Sequence, residues 1–294
     1  MSATAHVGVV ERRPALATPT PTGRGDATVH SDLVEARAVT RRVATTFALA
    51  CRLLPAAIRD DVYLLYLVFR TLDDLVDEGF PEAAGRVEAA AAWAEGRPGP
   101  RTREVDLLDA LACRYPLPLA AIADFCSGMR QDLAAEGFAT ERELDRYCYR
   151  VAGTVGVVMT SILGAREPDE AYTAAAALGM AMQRTNILRD IDEDAAHGRV
   201  YLTQETIRRY GPPVPGRRET LMRDQIMRAD ALYEDGLAGV ALLREGRHAI
   251  AAAGAMYREI LREIERRGYG AVPGRAVVSK RRKLGVGLWA ALRA

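Results

Sequence analysis

The sequence predicts an all-α protein with a single domain, a helical bundle around a central hydrophobic cavity. Ala, Leu, Arg and Glu are frequent along the 294-residue chain, and these residues favour helix. Segments with the alternating β-branched pattern of strands are scarce. Hydrophobic residues make up 49% of the chain, which is enough for a sizeable buried core.

The first 30 residues are predicted to form a disordered tail that precedes the folded domain. The stretch Ala17–Gly25 is rich in Thr, Pro and Gly and has no hydrophobic periodicity. A functional arm is the alternative interpretation of this tail. Residues 31–294 are predicted to form one domain, because helical spacing begins after Ser31 and no Gly/Ser linker interrupts it.

Helical periodicity and chain breakers divide the domain into about a dozen helices. Pro55 ends one helix, Gly79 and Pro81 end the next, and Pro212–Pro215 forms a loop. The predicted helices cover residues 43–54, 58–77, 81–95, 104–113, 117–135, 140–164, 168–195, 216–244 and 248–268, and a last helix begins near residue 274.

Charge and cysteine usage exclude several classes of protein. The net charge of +1 lacks the basic excess of a nucleic-acid-binding protein, so we expect no nucleic-acid partner. The four cysteines form no CxxC pair and are predicted to be reduced thiols of a cytoplasmic protein. No apolar run is long enough to span a membrane, and the N-terminus has no signal-peptide core.

The first segment with chemical potential lies near the end of the helix predicted at 58–77. Asp73 and Asp77 are four residues apart and share one helix face with Arg70 and Tyr66. Two carboxylates on one face repel each other, and a bound cation removes that repulsion. A solvated acidic helix end explains the segment equally well when it is considered alone.

A second polar segment shifts the balance towards a metal site. Asn186, Asp190 and Asp194 are spaced by four residues, and Gln183 lies one turn earlier on the same face. Such hard oxygen ligands suit Mg²⁺, with Mn²⁺ as a possible substitute. Arg189 and Arg199 add donors for phosphate oxygens. An ion-paired surface helix is the alternative, but Asn and Gln fit it poorly.

Two acid-rich helices that face each other would form two magnesium-binding walls around a diphosphate. Departure of that group leaves a carbocation, which needs an apolar cavity that excludes water. The segment Tyr147–Leu163 suits a wall of this cavity, because Gly153 and Gly156 permit the close approach of a neighbour or a ligand. A tightly packed core helix is the equally weighted alternative.

Several motifs recur in an order and spacing that match one known family. They are Tyr66-x-x-x-Arg70-x-x-Asp73-Asp74-x-x-Asp77, the segment Tyr147–Gly156, Gln183-x-x-Asn186-Ile-Leu-Arg189-Asp190-x-x-x-Asp194, Gly198-Arg199-Val-Tyr201, and an ending with Tyr257, Gly268-Tyr269, Arg275 and Lys280–Lys283. On these motifs, residues 35–285 resemble the squalene/phytoene synthase family.

The resemblance implies an isoprenoid synthase fold and the head-to-head (1′–1) condensation of two prenyl diphosphates through a cyclopropylcarbinyl diphosphate. The product would be phytoene from geranylgeranyl diphosphate, or squalene or dehydrosqualene from farnesyl diphosphate. By resemblance, the magnesium ligands are Asp73, Asp77, Asn186, Asp190 and Asp194. Gln183 lines the same site, and the groups that contact diphosphate or the developing cation are Tyr66, Arg70, Arg189, Tyr257 and Arg275.

The chain departs from the family pattern at one place. The family has a Ser-rich stretch before a Phe, and here Thr45 and Thr46 precede Phe47. Thr46 is expected to replace one hydroxyl that binds substrate, with Thr45 beside it, while another hydroxyl is missing. No dinucleotide fingerprint is present, but reductive members of the family lack one too. We expect a non-reductive product, formed without NADPH. The missing fingerprint does not by itself exclude NADPH use.

Two alternatives to condensation remain at this point. A terpene cyclase on the same scaffold would ionise one prenyl diphosphate and needs the same two metal walls. A non-catalytic assembly or binding protein would have lost acids, whereas both clusters are complete. The segment Ser279–Ala294 joins basic residues to an apolar end. It fits peripheral contact with an anionic membrane, or packing of the last helix against the body.

Overall fold

The computed structural model describes residues 26–134 and 137–294, and within these ranges it contains fourteen α-helices and no β-strand. One antiparallel bridge joins Ala165 to Leu243. The all-α prediction is confirmed. The helices are α1 (Asp26–Val43), α2 (Thr45–Cys51), α3 (Ala56–Asp77), α4 (Ala83–Ala94), α5 (Arg103–Ala112), α6 (Leu119–Ala134), α7 (Glu141–Cys148), α8 (Thr154–Leu163), α9 (Pro168–Arg189), α10 (Ile191–Ala196), α11 (Gln204–Tyr210), α12 (Glu219–Ala238), α13 (Arg247–Arg266) and α14 (Lys280–Ala291).

The folded region starts earlier than the sequence indicated. Helix α1 begins at Asp26, so residues 26–30 are helical although they were assigned to the tail. The predicted start at Ser31 was marked by apolar periodicity, and a helix can begin one or two turns before its first periodic apolar residue. The remainder of the predicted tail, residues 1–25, lies outside the described residues.

Helix α3 lies at the centre of the largest hydrophobic cluster. Its side chains Leu65, Leu67, Val68 and Leu72 are at most 2% exposed and pack against α5, α6 and α8. Side chains that are buried on most of a helix circumference indicate an internal helix. The polar residues at the C-terminal end of α3 are therefore fixed by a rigid, buried support.

Glycines allow α9 to approach its neighbours at backbone distance. A Cβ on Gly156 of α8 would lie 2.4 Å from the carbonyl oxygen of Ala175, and one on Gly179 would lie 2.3 Å from that of Ala152. Real Cβ atoms do not approach so closely, so only glycine fits there. The prediction that Gly156 permits the close approach of a neighbour is confirmed.

Two predicted helices are interrupted. The helix predicted at 140–164 contains a π-helical turn, Tyr149–Gly153, between α7 and α8. The helix predicted at 168–195 ends at Arg189, and α10 starts after Asp190, whose φ and ψ are −102° and 9°. Periodicity does not reveal such breaks, because they depend on contacts with distant parts of the chain. Asp192, for example, accepts bonds from Arg218 at 2.6 and 2.7 Å.

Candidate active site

A cavity of about 570 Å³ lies between α3, α8, α9, α12 and α13. Nine of the predicted metal and substrate contacts line it: Tyr66, Arg70, Asp73, Gln183, Asn186, Arg189, Asp190, Tyr257 and Arg275. Much of the remaining wall is apolar and includes Phe47, Phe69, Phe125, Val155, Met159, Leu163, Val240, Leu243 and Ile250. One cavity therefore combines a cluster of charged side chains with an apolar wall, as the sequence predicted.

Arginines hold the carboxylates of both acid-rich helices. Arg70 donates to Asp73 over 3.0 Å and also bonds Asp74. At the end of α9, Arg189 donates to Asp190 over 2.8 Å, and Arg275 lies 3.1 Å from the same carboxylate. Guanidinium groups beside carboxylates are suited to bind a diphosphate when one enters.

The electrostatics of the two walls favour an added cation. Desolvation, followed by repulsion from Asp77, raises the pKa of Asp73 to about 7. Desolvation and the charge of Asp190 raise the pKa of Asp194 to about 6. A raised carboxyl pKa means that the surroundings destabilise the negatively charged form. A positive ion would stabilise these carboxylates.

Neutral oxygen donors continue the polar wall of α9. The side-chain amide of Asn186 donates to Gln183 over 3.2 Å, and its oxygen accepts a bond from the Tyr257 hydroxyl over 3.3 Å. The bond from Tyr257 connects α9 to α13, which comes from a distant part of the sequence. It fixes the orientation of the Asn186 carbonyl towards the cavity.

Asp77, Asp194 and Arg199 do not line the cavity, but they contact one another beside it. Arg199 donates to the Asp77 carboxylate over 2.7 Å and to the Asp77 backbone carbonyl over 3.1 Å. The backbone N–H of Arg199 donates to the Asp194 carbonyl over 2.8 Å. Arg199 therefore connects the ends of the two acid-rich helices.

The two threonines differ in their surroundings. Thr45 is exposed and does not line the cavity, so the structure does not bring this predicted substrate contact to the site. Thr46 is buried next to the lining residue Phe47 and accepts a bond from Lys283 over 3.0 Å. Sequence reasoning missed Lys283, which belongs to the basic run of the resemblance but had no assigned role.

Asp132 is a further acid that sequence reasoning missed. It lies on α6, bonds the Tyr147 hydroxyl, and interacts electrostatically with Asp77 and Arg199. Desolvation is the main cause that raises its pKa, to about 6. The ring of Tyr147 packs against Tyr201, with centroids 5.8 Å apart. A lone Asp in an otherwise unremarked helix gives no sequence signal.

The donors present suit a divalent ion that arrives together with a diphosphate. Among the described residues, no three carboxylate, imidazole or thiol side chains converge as a preformed ion site. Magnesium commonly takes only one or two carboxylates and completes its octahedron with water and substrate phosphate. The oxygens of Asp73, Asn186 and Asp190, placed on two walls of one cavity, meet this requirement.

Comparison with known proteins agrees with this geometry. The family model described as squalene/phytoene synthase matches residues 40–282. The chain belongs to the squalene/phytoene synthase family. Members of this family are prenyltransferases that are generally dependent on a divalent metal, and the chain is an enzyme of this head-to-head type. The fold and family predicted from the motifs are confirmed.

Individual relatives and solved structures agree with one another. A phytoene synthase of Thermus thermophilus is 40% identical over 81% of this chain and 85% of its own length. A 15-cis-phytoene synthase of a Synechocystis strain is 35% identical over 90% and 86%. A dehydrosqualene synthase solved with a ligand superposes with a TM-score of 0.82 at 27% identity, covering 91% of this chain and 98% of its own.

A squalene synthase structure from Alicyclobacillus acidocaldarius has a TM-score of 0.71 at 23% identity, over 84% of this chain and 97% of its own, and supports the fold alone. Across the described residues, no helix has the length and apolar character needed to cross a membrane.

Proposed function

We propose that the chain joins two molecules of geranylgeranyl diphosphate head to head to form phytoene. The observation that supports this substrate most strongly is the set of relatives named phytoene synthase, at 35–40% identity over more than four fifths of the chain. The predominantly apolar cavity with charged groups in its wall suits a substrate with a diphosphate head and a long hydrocarbon tail.

The proposed metal is Mg²⁺, for which Mn²⁺ could substitute, held by Asp73 and Asp77 on one wall and by Asn186, Asp190 and Asp194 on the other. When bound, the ions neutralise the charge that develops on the departing diphosphate. Asp77 and Asp194 do not line the cavity, so their contact is expected through water or after a small movement of Arg199.

The arginines and Lys283 are proposed to bind the phosphate oxygens of the substrate. Arg70, Arg189 and Arg275 now bond carboxylates on the cavity wall, and a diphosphate offers them equivalent acceptors. Lys283 and the hydroxyl of Thr46 would hold the same group from the side of α14 and α2. Tyr66, Gln183 and Tyr257 would supply neutral bonds.

In the proposed reaction, the C1–O bond of the first substrate breaks and its electrons leave with diphosphate. The double bond of the second substrate attacks the allyl cation, and loss of a proton closes the cyclopropane. The second diphosphate then departs, the cation rearranges, and loss of another proton gives a neutral hydrocarbon. Because no electron pair is added from outside, this outcome needs no NADPH.

The apolar wall is proposed to protect the cations from water. The rings of Phe47 and Tyr66 lie 5.1 Å apart, and both line the cavity beside Arg70 and Asp73. An aromatic face stabilises a nearby cation through its quadrupole. The rings of Phe69 and Phe125 pack edge to face, 4.7 Å apart, in another part of the wall.

A second candidate is the same condensation of two farnesyl diphosphates to a dehydrosqualene-type product. The observation that favours it is the TM-score of 0.82 with a dehydrosqualene synthase. Chain length depends on the depth of the cavity, and both substrates use the same charged groups.

The experiment that tests the proposed function is product analysis. The purified protein is incubated with Mg²⁺ and either geranylgeranyl or farnesyl diphosphate, and hexane extracts are examined by mass spectrometry. Phytoene from the 20-carbon substrate is expected. A C30 hydrocarbon as the preferred product supports the second candidate. A cyclic product from one substrate molecule, or no product from a folded protein, contradicts both.

A further inference from the structure

Helix α14 has two faces of different character. Its inner face packs on the body: Gly287 and Ala291 are buried, and a Cβ on Gly287 would lie 3.0 Å from the sulfur of Met256. Its outer face presents large apolar side chains to solvent. These are Leu284 (52% exposed), Leu288 (64%), Trp289 (58%) and, directly after the helix, Leu292 (79%).

The spacing of these side chains makes one continuous stripe. Leu284, Leu288 and Leu292 follow at intervals of four residues, and Trp289 lies beside Leu288. Burial of one such side chain is worth about 1.5–3 kcal/mol. Single exposed apolar residues are ordinary, but a contiguous stripe on one helix indicates a surface that is covered by something else.

The charge around the stripe identifies what covers it. The last 29 residues, 266–294, contain eight Lys and Arg residues and no Asp or Glu. Lys280 and Arg281 are exposed at the start of the helix, and the guanidinium of Arg293 lies 3.8 Å from the Trp289 ring centre. An apolar stripe flanked by cations, with a Trp at its edge, is typical of helices that lie in the interface of an anionic bilayer.

The helix also lies next to the active-site cavity. Lys283, on the inner face, bonds Thr46, which directly precedes the lining residue Phe47. Burial and the nearby charges of Arg189 and Arg275 lower the pKa of Lys283. Both of these arginines line the cavity. A surface that covers the outer face of α14 would therefore be separated by this helix from the contact of Lys283 with Thr46.

We propose that the outer face of α14, formed by Leu284, Leu288, Trp289 and Leu292 with Lys280 and Arg281, docks on a lipid bilayer that contains anionic lipid. The docked helix lies parallel to the bilayer and does not cross it. This position brings the cavity to the phase in which long-chain prenyl compounds dissolve. The inference goes beyond the reaction and does not depend on which hydrocarbon the enzyme makes.

The test is binding of the full chain to vesicles, measured by co-sedimentation without substrate. Vesicles of phosphatidylcholine with about 30 mol% phosphatidylglycerol are compared with phosphatidylcholine alone. The protein is expected to bind the anionic vesicles, and to be released when NaCl rises from about 0.1 M to about 1 M. The double variant L288E/W289E is expected to bind at least about tenfold more weakly.

A matched control is Met227→Glu, on α12, because Met227 is also 64% exposed. This control is expected to bind like the wild type, and circular dichroism checks that all variants remain helical. Binding that is unchanged in L288E/W289E, or equally reduced in Met227→Glu, contradicts the proposal. The proposal is also contradicted if the wild type binds no vesicles but forms a dimer in sedimentation velocity, and L288E/W289E dissociates that dimer.

Tryptophan fluorescence gives a second test that does not require the introduction of a charged residue into the stripe. The chain has two Trp residues, so Trp93→Phe leaves Trp289 as the only one. A blue shift of its emission on addition of anionic vesicles is expected, because the ring leaves water. An unchanged emission maximum in the presence of bound vesicles contradicts docking through this face.

Discussion

The side-chain nitrogen of Lys283 lies 3.0 Å from the hydroxyl of Thr46 and joins the last helix of the chain to one of the first. This bond places a cation beside Arg189 and Arg275. Two residues that are more than 200 positions apart therefore meet beside charged residues of the cavity wall. Lys283 belongs to the basic run of the sequence motifs, and the structure adds the contact that makes it a candidate for a role at the site.

Lys283→Met is expected to lower kcat/KM for prenyl diphosphate by about 10- to 100-fold. A hydrogen bond to a charged group contributes about 1.5–3 kcal/mol, and each 1.4 kcal/mol is a factor of ten. Lys283→Arg should retain most of the activity, since it keeps the charge. The matched control is Lys280→Met, an exposed cation on the same helix, assayed without vesicles. Equal kinetics for Lys283→Met and Lys280→Met would reject the role.

Arg184 differs from the active-site arginines, because its guanidinium belongs to a buried ion-pair network. It lies on α9 but points away from the cavity, is 2% exposed, and binds Glu141 over 2.9 Å, Asp145 over 2.6 Å and Gln225 over 2.9 Å. Arg184→Met would leave the buried Glu141 with only one nearby cation among the described residues, the more distant Arg228 at 3.9 Å. We expect the free energy of unfolding to fall by about 3–5 kcal/mol in urea titrations.

Two variants check that interpretation of Arg184. The double variant R184M/E141Q should recover part of the loss, because it removes both charges. Arg37→Met breaks the half-exposed pair with Asp60 and should cost only about 0–1 kcal/mol. A loss for Arg184→Met no larger than that for Arg37→Met would show that the buried network contributes little to stability.

The same network predicts a loss of stability in acid. Burial alone would raise the pKa of Glu141, but hydrogen bonds from Thr206 and the charge of Arg184 outweigh it and lower that pKa below the ordinary 4.5. The unfolded chain therefore binds the proton more tightly than the folded one. The contribution is complete above pH 4.5 and disappears as pH falls through the folded-state pKa.

Thermal unfolding between pH 7 and pH 3 measures this effect. The melting temperature of the wild type should fall more steeply below pH 4.5 than that of Glu141→Gln, which cannot gain the proton. Glu245→Gln is a suitable control, because Glu245 is an exposed glutamate in the turn before α13. Parallel profiles for the wild type and Glu141→Gln would contradict the assignment.

Gly156→Ala is expected to destabilise the protein by about 1–3 kcal/mol and to reduce activity. Its Cβ would lie 2.4 Å from the Ala175 carbonyl oxygen, so α8 must move away from α9 and shift a wall of the cavity. Gly85→Ala, in the first turn of α4 with no neighbouring atom within 4 Å of the new Cβ, should instead stabilise by about 0.5–1 kcal/mol. Equal effects would show that the close approach of α8 and α9 is unimportant.

Much of this arrangement was predictable because the chemistry lies in short, local motifs. The helical periodicity of 58–77 placed Tyr66, Arg70 and Asp73 on one face, and all three line the cavity. The glycine at 156 indicated a close helix contact that the structure contains. These inferences need only the geometry of a single helix and the size of a side chain.

Features that depend on tertiary contacts were not predictable in this way. The break of the helix at Asp190 accompanies contacts of Asp192 with Arg218 and with the backbone of Gly274. Lys283 and Asp132 interact with predicted site residues from helices whose place in the bundle no local pattern reveals. The exposure of Thr45 and the burial of Thr46 likewise depend on how α2 packs against α14.

The most direct test concerns the two acid-rich helices as one split site. The rate of diphosphate release from geranylgeranyl diphosphate at fixed Mg²⁺ is measured for D73N, D190N and the double variant, with circular dichroism as a check of folding. Each single variant is expected to lose at least about 100-fold. The double variant should lose little more than the worse single one, because the residues act as a unit.

Asp60→Asn serves as the matched control, since Asp60 lies on α3 but pairs with Arg37 at the surface, and it should retain wild-type activity. A wild-type rate in D73N or D190N, or losses that multiply in the double variant, would contradict a single site shared by Asp73 and Asp190.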